Sequence, residues 1–251
     1  MPQADVAKEA DVLFLMLGYP HDVERVVLDK EVGVLQHMKK GAFLVDHTTS
    51  SPELAIRIAE QAVAQGVKSI DAPVSGGDIG AKNGQLVTMV GGETSAVEEV
   101  RPLLDIYSKD VQHMGKPGAG QYTKAANQIN IATTMVGVCE SLLFAQKAGL
   151  NIDQMIQLLS KGAAGSFSLQ VLGPRMLKRD FEPGFYVEHF VKDLGIILDE
   201  SRRMGIAFPG TAQAEQLYQA LMAQGGARMG TQGLLTVLEN LNNSKVDKYD
   251  L

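Results

Sequence analysis

Between Pro117 and Cys139 the chain carries one ionisable cation, Lys124, and no Asp, Glu, Arg or His. Past Gly120 the Ala, Ile, Val and Met residues of this stretch run round every face, which reads as a helix buried on all sides. A lysine is rarely placed in such surroundings without a partner. Asn127 and Gln128 follow Lys124 at i+3 and i+4, so two amides share its helical face. An ammonium and two amides thus form a polar cluster inside an otherwise apolar helix. Taken alone, the stretch reads equally well as a lysine near a helix start whose stem snorkels to water.

The second segment with chemical potential is Asp71 to Gly84, DAPVSGGDIGAKNG, read as a loop leaving a strand. Gly76, Gly77, Gly80 and Gly84 allow its backbone to approach a ligand closely and to turn N–H groups toward carboxylate or phosphate oxygens. Ser75 adds a hydroxyl to the same concavity. A long tight turn is the structural alternative, but ligands of open parallel sheets sit beyond the carboxyl ends of strands, where this loop emerges. No G-x-G-x-x-G occurs near the amino terminus. The dense glycines of Gly115 to Gly120 have the reverse spacing and precede the long helix, so they read as a hinge and helix start.

The elements that must position these residues change character once. From Asp11 to Gly115, β-rich runs (DVLFLML, AFLVDHT, VKSIDAP, QLVTMVGG, DVQHMG) alternate with helical stretches such as His21 to Lys40, Pro52 to Gln65 and Thr94 to Ser108, which is the pattern of an α/β layer with a mostly parallel sheet. From Gln121 onward only helices are expected: one long helix to about Ala148, then Asp153 to Lys161, Ser166 to Leu177, Val187 to Met204, Thr211 to Ala223 and Gly233 to Leu241. The fold class is therefore α/β plus all-α, with domains expected at 1–117 and 118–251. The 251 residues are 45% apolar with a net charge of −6, and no basic, aromatic-interleaved patch suggests nucleic acid. A single cysteine, Cys139, excludes an intramolecular disulfide and fits a reducing compartment. No run of 18 apolar residues and no signal-peptide core is present, so no membrane partner is expected, and no metal site either.

Four ordered motifs, DHTTSSPELA (Asp46 to Ala55), DAPVSGGDIGAKNGQL (Asp71 to Leu86), GAGQYTKAANQ (Gly118 to Gln128) and FVKDLG (Phe190 to Gly195), closely resemble the β-hydroxyacid dehydrogenases, above all the 3-hydroxyisobutyrate dehydrogenase branch. The resemblance runs from about Ala10 to Asn242. It implies a Rossmann-type domain, a long interdomain helix and an all-helical substrate and dimerisation domain in a homo-oligomer, dimer or tetramer. It implies NAD or NADP as cofactor and a small hydroxyacid as substrate, interconverted with its semialdehyde in the cytoplasm or the mitochondrial matrix. Position by position, Lys124 matches the catalytic lysine; Ser75, Gly76 and Gly77 match the loop that grips the substrate carboxylate; Asn127 and Gln128 match the amide pair that orients the substrate. Leu17, Gly18, Asp22, Thr49 and Lys192 match positions beside the cofactor. Taken alone, Lys192 and Asp193 read as an exposed charged pair on an amphipathic helix. A reference lysine pKa near 10.4 is too high for a base at neutral pH, but burial and neighbouring cations can lower a lysine toward about 7 to 8.

Two departures qualify the resemblance. Gly230 stands where many members carry an acidic residue, which leaves substrate preference open between 3-hydroxyisobutyrate and the semialdehydes of tartronate or succinate, or glyoxylate. The family's amino-terminal strand and glycine loop have no counterpart in this sequence, which begins near the family's fourth strand. A truncated chain with weak cofactor binding is therefore expected, and a non-catalytic oligomeric or binding protein is the alternative of a different class.

Overall fold

A computed structural model of the chain describes residues 3–246. The backbone divides into two compact units, 1–126 and 127–251. The first contains a six-stranded sheet. Helix α1 (Gln3–Glu9) precedes β1 (Val12–Leu15), followed by α2 (Pro20–Leu28), a 3-10 turn, β2 (Phe43–Asp46), α3 (Pro52–Gln65) and β3 (Lys68–Asp71). Then come β4 (Val74–Ser75), α4 (Gly77–Lys82), β5 (Leu86–Gly91), α5 (Thr94–Leu104) and β6 (Ser108–Gly115).

Strands β1, β2 and β3 are parallel, with Leu15, Asp46 and Asp71 aligned in register at their carboxyl ends. The sheet then changes direction. β5 meets β3 antiparallel through the single pair Asp71 and Gly91, runs antiparallel to β4, and is parallel to β6. Two apolar cores cover the two faces. Ala7, Val23, Val27, Leu44 and Ile58 belong to one, and Val45, Ile70, Val90, Val97 and Val100 to the other. The odd and even residues of β2 thus point to opposite cores, as the period of a strand requires.

Local signals explain where helices begin and end. Ser51 caps α3 by accepting from the Leu54 N–H at 3.1 Å, Pro52 occupies its first turn, and Gly66 closes it at φ 74°. Two elements run against expectation. Residues Asp71 to Gly84 are not one loop: Pro73 interrupts the path from β3, the chain then pairs again as β4, and α4 follows directly. α1 was hidden because its seven residues bury only Ala7.

Helix α6 (Ala119–Lys147) contains the point at which the backbone divides by packing. It is followed by α7 (Ile152–Leu159), a π-helical turn at Ser168–Leu172 leading into α8 (Gly173–Leu177), then α9 (Val187–Met204), α10 (Pro209–Ala223) and α11 (Leu234–Leu241). In the second unit Phe190 and Tyr218 pack edge to face with centroids 5.0 Å apart, and the buried Tyr218 hydroxyl donates to the Thr231 carbonyl at 2.9 Å. α6 is not buried on all sides. Gln121, Lys124, Gln128, Ala132, Met135, Cys139 and Leu142 form its buried stripe, while Ala126, Asn130, Thr133, Gly137, Glu140, Phe144 and Lys147 are exposed at alternating spacings of four and three. Its length and apolarity would suffice to cross a membrane, but a buried stripe carrying an amine and two amides is that of a core helix.

Candidate active site

In the first unit the site is built on the carboxyl ends of the three parallel strands. After β1, the Leu17 N–H donates to Thr48 Oγ1 at 2.8 Å, which joins the Leu17–Gly18 turn to the turn after β2. The Thr48 N–H in turn donates to Asp46 Oδ1 at 2.9 Å. Thr49 follows, and Ser50 beside it is 3% exposed, with its hydroxyl oxygen finding no partner among the described residues. After β3, every link of the path to Ser75 is held: the Ala72 N–H bonds the Asp46 carbonyl, His47 bonds the Ala72 carbonyl, and the Met89 N–H bonds the Pro73 carbonyl. The Lys124 ammonium then donates to the Val74 carbonyl at 2.9 Å. Lys124, 7% exposed, is therefore anchored on the residue that precedes Ser75. Gly76 and Gly77 have φ of 130° and 63°, values that a side chain would strain, and both are exposed.

The start of α6 is fixed by a carboxylate from another element. Asp71 at the end of β3, 4% exposed, accepts from the Gly118 N–H at 2.8 Å and the Gln121 N–H at 2.9 Å. A negative charge against the first free N–H groups of a 29-residue helix complements its dipole. Burial nevertheless dominates and pushes the Asp71 carboxyl above the usual range. Gly91 and Gly120 make this approach possible: a Cβ on Gly91 would lie 2.5 Å from Asp71 Oδ1, and one on Gly120 2.5 Å from the Met89 carbonyl.

His47, next to the turn, was not among the residues the sequence singled out. Its Nδ1 lies 2.6 Å from the Ala72 carbonyl and its Nε2 2.8 Å from the Tyr107 hydroxyl. Burial lowers the imidazole below its ordinary value and raises the Tyr107 phenol to about 12. The neutral ring thus carries its proton on Nδ1 and accepts from Tyr107.

In the second unit a separate chain of polar groups surrounds the amide pair. Lys192 Nζ lies 2.7 Å from Asp193 Oδ1, with side chains 10% and 1% exposed. The other carboxylate oxygen accepts from Gln128 Nε2 at 2.6 Å, and Gln128 Oε1 accepts from Asn127 Nδ2 at 2.8 Å. The expectation of an exposed Lys192 and Asp193 pair is corrected: both face inward from α9, because a buried carboxylate needs both a cation and a donor. Gln128, 1% exposed, has its amide spent on Asp193 and Asn127, so it orients Asn127. The structure thus gathers Leu17, Thr49, Ser75 and Lys124 in the first unit and Asn127, Gln128 and Lys192 in the second. Asp22 stands in the first turn of α2 and pairs with Arg25 at 3.2 Å and with His21 at 3.6 Å.

Comparison with known proteins bears on what this arrangement serves. Residues 2–115 match a family model described as the NAD binding domain of 6-phosphogluconate dehydrogenase. Residues 118–238 match one described as NAD-binding of NADP-dependent 3-hydroxyisobutyrate dehydrogenase. The chain is 52% identical, over 98% of its length and 73% of the relative's, to the probable 3-hydroxyisobutyrate dehydrogenase-like 1, mitochondrial, of Arabidopsis thaliana. The chain belongs to the β-hydroxyacid dehydrogenase family. Within that family it is also 38% identical to the 2-hydroxy-3-oxopropionate reductase of Escherichia coli (strain K12), over 96% of this chain and 82% of the relative. A solved 3-hydroxyisobutyrate dehydrogenase of Mycobacterium tuberculosis, determined with L-serine, superposes with a TM-score of 0.85 at 28% identity, covering 94% of this chain and 81% of that one. The Rossmann-like sheet followed by a helical domain is the family's fold, and its cofactor is NAD or NADP.

Proposed function

We propose that this NAD(P)-dependent oxidoreductase interconverts a short 3-hydroxyacid, 3-hydroxyisobutyrate or a close analogue, and its semialdehyde, with Lys124 as acid and base. The observation that carries the reading is the Lys124 ammonium bonded at 2.9 Å to the carbonyl of Val74, immediately before the Ser75-Gly76-Gly77 turn. A lysine held one residue before a turn with backbone and hydroxyl donors suited to a carboxylate supports a substrate whose carboxylate lies a short fixed distance from the reacting carbon. The buried Ser50 hydroxyl beside Thr49, without a partner among the described residues, fits a turn that meets a polar ligand, and with Leu17, Gly18 and Thr49 it would hold the dinucleotide. When bound, the dinucleotide supplies the hydride acceptor for oxidation and the hydride donor for reduction.

In oxidation, Lys124 as a neutral amine takes the hydroxyl proton while the C–H bond at the same carbon breaks and a carbonyl forms. In reduction, its ammonium returns that proton to the forming alkoxide oxygen and stabilises the charge developing there. Ser75 and the glycine N–H groups hold the substrate carboxylate, and Asn127, oriented by Gln128, donates to the substrate. Lys192 matches the family's lysine near the nicotinamide end and is proposed to contact the cofactor. The protein would act inside the cell, as a homo-oligomer.

A second reading, a reductase of tartronate semialdehyde, draws on the identity with the 2-hydroxy-3-oxopropionate reductase. Steady-state rates with each hydroxyacid and semialdehyde, with NAD(H) and with NADP(H), decide between them. Lys124→Ala should lower kcat with the preferred substrate by roughly 100-fold or more. A variant that keeps most of its kcat would remove Lys124 from the mechanism.

A further inference from the structure

We infer that Gln121 is a positioning residue that locks the Thr48–Ser50 turn to the helix carrying Lys124, so that the cofactor-facing turn and the acid/base amine move as one body. The inference rests on the proposed function for the roles of Thr49 and Lys124. Gln121 is 1% exposed, and its carboxamide grips the turn at two points. Nε2 donates to the Thr48 carbonyl at 2.7 Å, and Oε1 accepts from the Ser50 N–H at 3.0 Å. The amide thereby brackets Thr49 as a neighbouring strand would, with one donor and one acceptor in parallel. Through its own N–H, Gln121 is also fixed to Asp71 at 2.9 Å. It thus joins the ends of β2 and β3 one helical turn before Lys124, whose ammonium bonds back to Val74.

A glutamine is needed because both ends of the amide are used. Methionine fills a similar volume but leaves the Thr48 carbonyl and the Ser50 N–H unpaired in a buried place. Glutamate reproduces both bonds only while its carboxyl is protonated, donating O–H to Thr48 and accepting from Ser50. Once ionised, it has no donor and faces the Thr48 carbonyl with a negative charge.

The test compares the whole chain with its Gln121→Met, Gln121→Glu and Lys124→Ala variants, measuring Kd for NAD and NADP by calorimetry, hydrogen exchange at the Ser50 amide, and kcat. Gln121→Met should weaken cofactor binding and speed Ser50 exchange, each about tenfold, and lower kcat by a similar factor. Gln121→Glu should bind the cofactor almost as the parent does at low pH and lose affinity as its carboxyl ionises. Lys124→Ala should lose kcat while Kd and Ser50 exchange stay within about twofold.

The inference is overturned if Gln121→Met speeds Ser50 exchange yet leaves Kd and kcat unchanged. Should that variant fail to fold, a pH-independent cofactor affinity in Gln121→Glu overturns it instead. Full kcat in Lys124→Ala together with lost affinity in Gln121→Met would remove the acid/base assignment and uphold the clamp. Failure of the unsubstituted protein to bind either dinucleotide would overturn the proposed function, whereas an unchanged Ser50 exchange rate in Gln121→Met would overturn the clamp by itself.

Discussion

At the residue scale the decisive feature is how few polar groups of the candidate site are left to choose their own orientation. Asn127 is set by Gln128, Gln128 by Asp193, and Asp193 by Lys192. Asp193→Asn should therefore act twice. It removes the carboxylate charge that faces a nearly buried lysine, at a cost of about 3 kcal/mol read by urea denaturation. It also lets Gln128 and Asn127 turn, which should raise KM for the hydroxyacid more than it lowers kcat. His47 gives a pH signature of opposite origin. Because burial lowers its imidazole in the folded state, the unfolded chain takes up the proton more readily once the pH falls below about 6.5. Stability should fall as pH drops through that window, and more steeply in the parent than in His47→Gln, measured as unfolding free energy against pH. Asp71, raised in the fold, works in the opposite sense and is common to both proteins, so the comparison isolates His47. Lys124 could be found from the sequence because a charge in an apolar run stands out. Gln121, in the same run, could not, since a neutral amide reads as ordinary helix filler until its two partners are seen. Asp193 was misread because a charge beside another charge is what a solvated helix face also shows.

At the scale of elements, α3 was legible to the residue, since Ser51, Pro52 and Gly66 each carry a signal that acts within a few bonds. α4 was not, because the glycines that suggested a loop instead supply the two positive φ values by which the chain leaves β4 and turns into a helix. The junction of α6 with the sheet was equally hidden: it depends on the absence of side chains at Gly91 and Gly120 opposite Asp71, a relation between distant positions. Gly120→Ala should be more damaging than an alanine in a helix ordinarily is. Its Cβ would meet the main-chain oxygens of Met89 at 2.5 Å and Asp71 at 2.6 Å, and neither can move alone. A loss of about 2 kcal/mol or more, read as a lowered urea midpoint at unchanged slope, is the expected result. Gly137→Ala, whose Cβ would meet nothing within 4 Å, serves as the control and should be neutral or stabilising.

At the scale of the whole molecule, the α/β half followed by helices could be read from the change of period near Gly115. The sequence suggested an α6 buried on every side, and within a single chain one stripe of it is exposed. Its outward stripe carries Phe144 at 73% exposure among small and polar residues, and Leu158 and Phe167 of the same unit are 71% and 70% exposed. If copies of this chain associate through that stripe, Phe144→Glu should lower the mass seen in sedimentation equilibrium without lowering the melting temperature of the monomeric form. An unchanged mass would place the interface elsewhere.

The carboxylate that begins α6 has a further consequence, for the order in which the chain acquires its structure. Asp71 precedes Gly118 and Gln121 by 47 and 50 positions, so the long helix receives its N-terminal partner only after the chain between them has closed on itself. A helix of this length can form its middle turns early, but its first turn, with Lys124, must wait for the end of β3 to arrive. Translation would therefore release β3, β5 and β6 from the ribosome before the segment that makes their carboxyl ends useful, and the candidate active site would be among the last parts of the first unit to take shape.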